Sequence, residues 1–146
     1  MATVRGCFLP DELLYDVENH IWFTEIGDGR VKLGMTAVAA AMAGPLVAIT
    51  LKKVGRSVKA GKSCATIESG KWVGPAKSAA AGEVVEINEA AVDAPGGVNL
   101  DPYEAGWLVI LQPEDWDNVK ATLVLGTEVA APYEAKMAAD GFDGCE

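Results

Sequence analysis

The chain of 146 residues is 50% hydrophobic and has a formal net charge of −9, from 21 acidic and 12 basic side chains. This length fits one folded domain with a real core, and the composition excludes a disordered chain. The acidic balance argues against a nucleic-acid partner, because phosphate binding relies on Lys and Arg. No stretch approaches the roughly 20 apolar residues of a membrane span, and Met1–Pro10 is unlike a signal peptide, so we expect a cytoplasmic protein without a membrane partner.

The first half of the chain predicts strands and one short helix. His20–Ile26 and Arg30–Gly34 are apolar-rich runs separated by Gly27-Asp28-Gly29, a typical hairpin sequence. A helix is predicted over Thr36–Ala43, with Thr36 as its N-cap and Gly44-Pro45 at its end. The next predicted strands are Leu46–Leu51 and Cys64–Glu68.

The second half continues with short strands and small helices. The predicted strands are Trp72–Ala76, Glu83–Asn88 and Trp107–Gln112. Asn88 is expected to cap a helical turn over Glu89–Val92 that ends at Pro95-Gly96-Gly97. Helices are also predicted over Pro113–Lys120, with Pro113 near its first turn, and over Tyr133–Ala139, closed by Gly141. Many short strands with helices at the edges predict a mainly β barrel or sandwich.

The three cysteines, Cys7, Cys64 and Cys145, are too far apart in sequence for a CxxC redox motif or a zinc site. Cys64 opens an apolar strand and is expected to be a small buried residue. Cys7 and Cys145 lie near the chain ends, where we expect accessible, unpaired thiols. With one histidine and no Ser/His/Asp set, independent catalysis is not predicted either.

One lysine lies at the tip of a predicted hairpin. The tip reads Glu68-Ser69-Gly70-Lys71-Trp72. Similar strand-turn units flank it, Gly55-x-x-Val58-x-x-Gly61 before and Gly82-x-Val84-x-x-Ile87 after. Two such halves predict a flattened barrel with Lys71 at its apex, where the amine is less hindered than on a sheet face.

The spacing from Lys71 to Gly82 resembles that of lipoyl domains. Three further motifs are His20-Ile21-Trp22, Gly34-Met35-Thr36, and Asn99-Leu100-Asp101-Pro102-Tyr103 through Gly106-Trp107-Leu108. With these motifs, the chain resembles the glycine cleavage H-protein family. The resemblance implies one lipoyl-carrier domain over residues 1–146, with a core over about 17–112 and a C-terminal helical extension over 113–146. Its expected fold is a flattened lipoyl-type barrel or sandwich of two quasi-symmetric halves, with short peripheral helices and a C-terminal helix.

The resemblance also implies that Lys71 carries covalent lipoic acid and that the chain is a non-catalytic carrier. A five-membered disulfide ring cannot reach the C–S–S–C dihedral of about 85–100° that relaxed disulfides prefer, so thiolates open it readily. A tethered group also reaches successive active sites at a high effective concentration. A biotinyl carrier is the alternative with the same barrel, but such domains usually place Met on both sides of the lysine.

Glu68, Gly70 and Trp72 of the predicted site have two interpretations each. Glu68 is either recognised by the lipoylating enzyme or is a solvated acid at a strand end. Gly70 either supplies a positive φ or is simply small. Trp72 either anchors the hairpin, which we favour, or shelters the arm. Lys77 lacks the Glu-Ser-Gly run and is predicted to be a surface charge, and Ser69 enters the site through its place in that run.

The carrier has two candidate cargoes, sulfur and an aminomethyl group. The run from Gly70 to Pro75, the start Val4-Arg5-Gly6-Cys7 and the terminal Gly144-Cys145 depart from the usual H-protein sequence. They resemble the lipoate-binding proteins of bacterial sulfur oxidation, which serve a heterodisulfide-reductase-like complex, and this favours sulfur as the cargo. The alternative is a glycine cleavage H protein that carries the aminomethyl group between the decarboxylase and the aminomethyltransferase. Either carrier needs a lipoate ligase or other lipoylating enzymes, and a monomer is expected.

Overall fold

The computed structural model describes residues 2–145, which form antiparallel sheets with short helices around them. The strands are β1 Ala2–Val4, β2 Cys7–Leu9, β3 Leu14–Asp16, β4 Ile21–Gly27, β5 Arg30–Met35, β6 Leu46–Leu51, β7 Ser57–Val58, β8 Lys62–Ser69, β9 Val73–Ser78, β10 Gly82–Ile87, β11 Val109–Pro113 and β12 Val124–Leu125. The helices are α1 Ala37–Ala43, α2 Glu89–Asp93, α3 Gly96–Leu100, α4 Trp116–Lys120 and α5 Ala130–Asp140, with a 3-10 turn at Gly126–Glu128. Each of these helices is too short or too polar to cross a membrane.

Two sheets face each other and enclose the main core. A seven-stranded sheet has the order β12-β3-β4-β5-β11-β10-β7, and a three-stranded sheet has the order β6-β8-β9. Phe23 and Leu33 of the larger sheet and Ile67 of the smaller one are fully buried in the same apolar cluster. Burial of the apolar sides of both sheets confirms the predicted mainly β fold, a flattened barrel or sandwich.

A second apolar cluster joins the two ends of the chain. The β1–β2 hairpin packs near α5, and Tyr133 and Met137 of that helix are fully buried. Trp22 is also fully buried here, and its Nε1 donates a hydrogen bond to the Pro102 carbonyl at 3.0 Å. Trp22 is therefore a core residue, and Gly34 leaves the space that its ring occupies.

Cys7 and Cys145 form a disulfide, with Cα atoms 4.9 Å apart, so the expectation of accessible, unpaired thiols is wrong. Cys7 is buried in β2, and the backbone N–H of Cys145 donates to the Arg5 carbonyl at 2.9 Å. The chain segment after α5 thus lies along the β1–β2 hairpin. Cys64 is buried and free, as predicted, and burial raises the pKa of its thiol to about 12.

Most predicted elements are present with small shifts of their ends. Thr36 caps α1, since its Oγ1 accepts a hydrogen bond from the Ala39 N–H at 3.2 Å. Gly141 ends α5 in the left-handed conformation with φ of 68°, which glycine adopts without strain. The strand Leu46–Leu51 has its predicted bounds.

Two local predictions need correction, and several short elements were not predicted. Asn88 precedes α2, but its side-chain amide donates to the carbonyls of Ala105 and Trp107, at 2.8 and 2.7 Å, and caps no helix. α2 ends at Asp93, just before Pro95-Gly96-Gly97, as predicted, but a second helix that was not predicted, α3, begins at Gly96. Pro113 closes β11, and α4 begins only at Trp116. The sequence analysis also missed the short strands β1, β2, β3, β7 and β12.

Candidate functional site

The β8–β9 hairpin presents Lys71 at its tip. Glu68 is the last β8 residue paired to β9, opposite Val73. Beyond this pair the Ser69 N–H donates to the Trp72 carbonyl at 2.8 Å and closes a four-residue turn. Lys71 is an exposed central residue of that turn, so its side chain points away from the hydrogen-bonded ladder.

Ser69 holds the turn from its inner side. Its side chain is buried, and its Oγ accepts a hydrogen bond from the Lys71 N–H at 3.3 Å. The same hydroxyl donates to the Trp72 carbonyl at 3.4 Å. Ser69 therefore fixes the backbone on both sides of the lysine, a role that the sequence motif alone does not reveal.

The stem of Lys71 lies over the end of α1. A Cβ built on Gly44, the residue that ends this helix, would be 3.3 Å from the Lys71 Cε and 3.9 Å from its Nζ. Gly44 has φ of 83°, which also favours glycine. Within the described part of the chain, no carboxylate forms an ion pair with Lys71. Its amine is therefore accessible for acylation.

The motif from Asn99 to Tyr103 supports this platform. The Asn99 Oδ1 accepts from the Leu46 N–H at 2.9 Å, and its Nδ2 donates to the Gly44 carbonyl at 3.0 Å. The Tyr103 hydroxyl accepts from the Ala37 N–H at 2.8 Å, at the start of α1. These bonds hold both ends of α1, so the motif positions the surface beneath Lys71.

An apolar cavity of about 430 Å³ opens beside Lys71. It lies between α1, the start of β4 and the tip of the β8–β9 hairpin. Its lining is Asn19, His20, Ile21, Met35, Ala39, Met42, Ala43, Ile67, Lys71, Trp72, Pro75 and Ala76. A mostly aliphatic lining with a few polar groups suits an apolar chain that ends in a small reactive group.

Trp72 forms one wall of this cavity. The tryptophan lies in the turn, just outside the strand that was predicted to begin with it, and is 42% exposed. Its indole covers Gly74, where an added Cβ would collide with the ring. Trp72 therefore has a packing contact within the hairpin and also borders the space beside the lysine.

The remaining predicted site residues are exposed. Glu68 lies between Ala48 and Val73 on its two neighbouring strands and forms no ion pair in the part of the chain that the structure describes. Gly70 has no positive φ, so that expectation is wrong, and open space lies where its Cβ would be. Lys77 is exposed on β9, opposite Ser63, as predicted for a surface charge.

His20 lines the same cavity, although the sequence analysis assigned it no chemistry. Its Nδ1 lies 3.0 Å from the Tyr133 hydroxyl, and the two rings stack with centroids 5.7 Å apart. Burial, and then the positive charge of Lys136, lower the pKa of His20. The imidazole is thus neutral near pH 7. The sequence feature that could have drawn attention to His20 is that it is the single histidine of the chain.

Comparisons with known proteins identify the family. The sequence model of the glycine cleavage H-protein matches residues 13–136. The chain belongs to the glycine cleavage H-protein family. It is 51% identical to glycine cleavage system H protein 5 of Aquifex aeolicus over 134 residues, which cover 89% of this chain and 90% of the relative. It is 40% identical to a probable glycine cleavage system H protein 2 of Sulfurisphaera tokodaii, over 87% of this chain and 86% of the relative.

A solved structure shows the same relationship. The crystal structure of a glycine cleavage system H protein from Mycobacterium marinum superposes with a TM-score of 0.74 at 35% identity. The match covers 92% of this chain and 100% of that chain. Members of the H-protein family are lipoyl carriers that hold lipoate on a lysine, so a biotinyl carrier is not supported. These relatives are named for glycine cleavage, which was the alternative in the sequence analysis, and they do not show a sulfur-carrying role.

Proposed function

We propose that this H-protein family member holds its lipoyl group on Lys71 and serves as the mobile carrier between the enzymes of glycine cleavage. The observation that carries the proposal is the position of Lys71, an exposed residue at the tip of a tight hairpin with no ion pair in residues 2–145. When bound, the group supplies a dithiolane that is reduced to a dithiol and carries a unit from one enzyme to the next.

The residues around Lys71 suit such a group. The cavity of about 430 Å³ lies within reach of the lysine stem and gives an apolar chain a water-excluding resting place. Neutral His20 and Asn19 are polar groups in its lining. Ser69 keeps the turn in one conformation, and Trp72 covers the cavity from the side of the hairpin.

Lipoylating enzymes are the first partners that this function requires. Glu68 is exposed on the same hairpin, two residues before the open turn position Gly70. We assign Glu68 to recognition by that enzyme, and Gly70 to close approach of the enzyme to the lysine. The decarboxylase and the aminomethyltransferase are the later partners, the proposed location is the cytoplasm, and the carrier is a monomer.

Sulfur is the second candidate cargo, and the number of related carriers in one organism leaves room for it. Three relatives from one organism, Aquifex aeolicus, are numbered glycine cleavage system H proteins 5, 2 and 3, at 51%, 44% and 44% identity to this chain. A single glycine cleavage system needs one carrier, so several carriers in one organism leave room for another role. The exposed Trp72 and Val73 beside the lysine add a hydrophobic surface that a partner such as a heterodisulfide-reductase-like complex would cover.

The attachment site is tested by lipoylation and mass mapping. The chain is expressed with a lipoate ligase and lipoate, and we expect one lipoyl group, on the peptide that contains Lys71. A Lys71→Arg variant should keep the wild-type circular dichroism spectrum and melting temperature, because the lysine is exposed, and it should remain unmodified. Lys77→Arg is the matched control and should be lipoylated like wild type. Modification that persists in Lys71→Arg would disprove the assignment.

A further inference from the structure

The positive charges of this acidic chain are concentrated in one segment. Residues 52–77 contain seven of the 12 basic side chains and one of the 21 acidic ones, so the segment has a formal charge of +6. The rest of the chain holds the other five basic and 20 acidic side chains, a charge of −15. Residues 52–62 alone contain five basic side chains and no acidic one.

The basic residues inside and outside this segment differ in their contacts. All five outside have a partner within the chain: Arg5 with Glu134, Arg30 with Asp28 at 3.9 Å, Lys120 with Glu25 at 2.9 Å, Lys136 with Glu18 at 3.4 Å and Asp140 at 3.3 Å, and Lys32 over the Trp107 ring at 5.7 Å. None of the seven inside forms an ion pair in residues 2–145. In a chain with excess carboxylates, this segregation leaves a surface without internal charge compensation.

The backbone holds these cations together in a defined place. Two turns carry them, closed by hydrogen bonds from the Arg56 N–H to the Lys53 carbonyl at 3.1 Å and from the Lys62 N–H to the Lys59 carbonyl at 3.0 Å. The Lys52 N–H donates to the Cys64 carbonyl at 2.9 Å, beside the Ser63–Lys77 pair of β8 and β9. We call this end of the three-stranded sheet the basic surface. It consists of Lys52, Lys53, Arg56, Lys59, Lys62 and Lys77.

The segment is anchored, so the basic surface keeps its shape. Val58 is buried, and Gly55 bonds to the Val84 carbonyl at 2.8 Å. Glu83 of β10 pairs with Ser57 of this segment, but it forms no ion pair with the segment in residues 2–145. Every cation of the basic surface except the half-buried Lys52 is exposed. They therefore face solvent as a group.

The basic surface and Lys71 lie at opposite ends of one hairpin. Strand β8 runs from Lys62 to Ser69, and at about 3.3 Å per residue this separates the two ends by roughly 23 Å. An enzyme of ordinary domain size spans that distance. A protein that docks on the basic surface is thus able to hold its active site at the Lys71 tip.

We propose that the basic surface is the docking site for the enzyme that lipoylates Lys71, through an acidic surface beside that enzyme's active site. This inference rests on the proposed attachment at Lys71. Five of the six members of the basic surface are lysines, unpaired like Lys71, so amine chemistry alone does not select the target. Docking on these lysines selects by position, because it keeps them at the interface and places the tip in the active site.

A protein partner fits the charge distribution better than a polyanion. The rest of the chain has a formal charge of −15, which repels nucleic acid and anionic membranes at long range. A local acidic surface on a protein partner contacts only the basic surface. Opposite charges on two partners raise the rate of productive encounter by 10-fold to about 1,000-fold at low salt.

The test is the kinetics of lipoylation by a lipoate ligase at about 50 and 300 mM NaCl, a range over which screening changes strongly. The variant Lys52→Gln/Lys53→Gln/Arg56→Gln/Lys59→Gln is compared with Ala131→Glu/Ala135→Glu/Ala138→Glu/Ala139→Glu on the exposed face of α5. The first variant loses four positive charges and the second gains four negative charges, so the formal net charge changes from −9 to −13 in both. Circular dichroism and melting curves check that both fold.

We expect kcat/KM of the first variant to fall about tenfold or more at low salt, with kcat unchanged and the salt dependence flattened. The α5 variant should stay within about twofold of wild type, since its charges lie elsewhere. Equal losses in both variants, or no loss in either, would overturn the docking site. Binding of wild type to phosphatidylglycerol vesicles or to double-stranded DNA through the basic surface, with unchanged lipoylation kinetics, would also overturn it. If wild type is not lipoylated on Lys71 at all, the proposed function itself fails, which the mass spectrum distinguishes.

Discussion

Trp72 packs against the one residue of β9 that has no side chain. A Cβ on Gly74 would lie 2.8 Å from the indole Cε2 and 2.9 Å from Cη2, closer than real contacts allow. The contact places the ring along the hairpin and beside the cavity at the same time. The packing contact with Gly74 agrees with an anchoring role for this residue.

A double-mutant cycle on Trp72 and Gly74 tests this contact. Trp72→Ala should lower the free energy of unfolding by about 1–2 kcal/mol, less than a fully buried aromatic would, because the ring is 42% exposed. Gly74→Ala alone should cost about 1 kcal/mol or more, since its methyl group displaces the indole. In the Trp72→Ala background the same change should be neutral or stabilising, because alanine suits a strand better than glycine. Urea unfolding measures all four proteins, and additive effects would contradict the contact.

His20 predicts a pH dependence of stability. Burial lowers its pKa in the folded state, so as the pH falls below about 6.5 the unfolded chain binds a proton that the folded chain does not. The contribution of neutral His20 to the free energy of unfolding should therefore be fully present above that pH and should decrease towards pH 5. His20→Asn should lose less stability between pH 7 and 5, and asparagine tolerates the φ of 58° at this position. The hydrogen-bonded carboxylates of Glu25, Asp101 and Glu134 have lowered pKa values and act at lower pH. Equal slopes of unfolding free energy against pH in the two proteins would contradict the role of His20.

At the level of elements, the N-terminal hairpin and α5 depend on each other. Arg5 in the β1–β2 turn forms an ion pair with Glu134 of α5, and its Nη1 donates to the Phe142 carbonyl at 2.8 Å. The Cys7–Cys145 bond closes the same contact covalently across 138 residues. The Cys145 sulfur also lies 3.6 Å from the Ala37 carbonyl, so this unit packs against the start of α1.

Reduction of the disulfide should lower the free energy of unfolding by about 2–5 kcal/mol, because the bond restricts the unfolded chain over a long loop. Guanidinium unfolding with and without a reductant measures the difference. The Cys7→Ala/Cys145→Ser variant should not respond to the reductant, whereas Cys64→Ala, which lacks the free thiol, should respond like wild type. Identical midpoints for oxidised and reduced wild type would show that the bond does not stabilise the fold.

Across the whole molecule, features specified by local sequence were predictable and those specified by tertiary contacts were not. The strand Leu46–Leu51 and the Thr36 cap depend on neighbouring residues, and the sequence predicts both correctly. In contrast, α3 was not predicted, and its Asn99 bonds to the distant Gly44 and Leu46, contacts that no local pattern indicates. The pairing of Cys7 with Cys145 requires both chain ends to return to one place, and spacing cannot reveal that.

The candidate site shows the same division. Lys71 at a hairpin tip was expected from its motif and its flanking strands, whereas the hairpin register, which puts Trp72 in the turn, depends on the pairing of Glu68 with Val73. The cavity brings together His20, Met42 and Ile67 from three separate elements or connections. Its existence follows from the packing of α1 against the two sheets, so only a three-dimensional structure shows it.

The cargo is a property of the whole carrier and its partners, and two assays on the lipoylated, reduced protein distinguish the candidates. If it serves glycine cleavage, it should support exchange of labelled bicarbonate into glycine by a glycine decarboxylase, with the Mycobacterium marinum H protein as positive control. The unlipoylated Lys71→Arg variant should be inactive. If it carries sulfur instead, exchange should be absent and a persulfide donor should add mass to the peptide that contains Lys71. We expect exchange, because the matched family and the named relatives belong to glycine cleavage. Sulfur uptake without exchange would replace that cargo while leaving the carrier and its lysine unchanged.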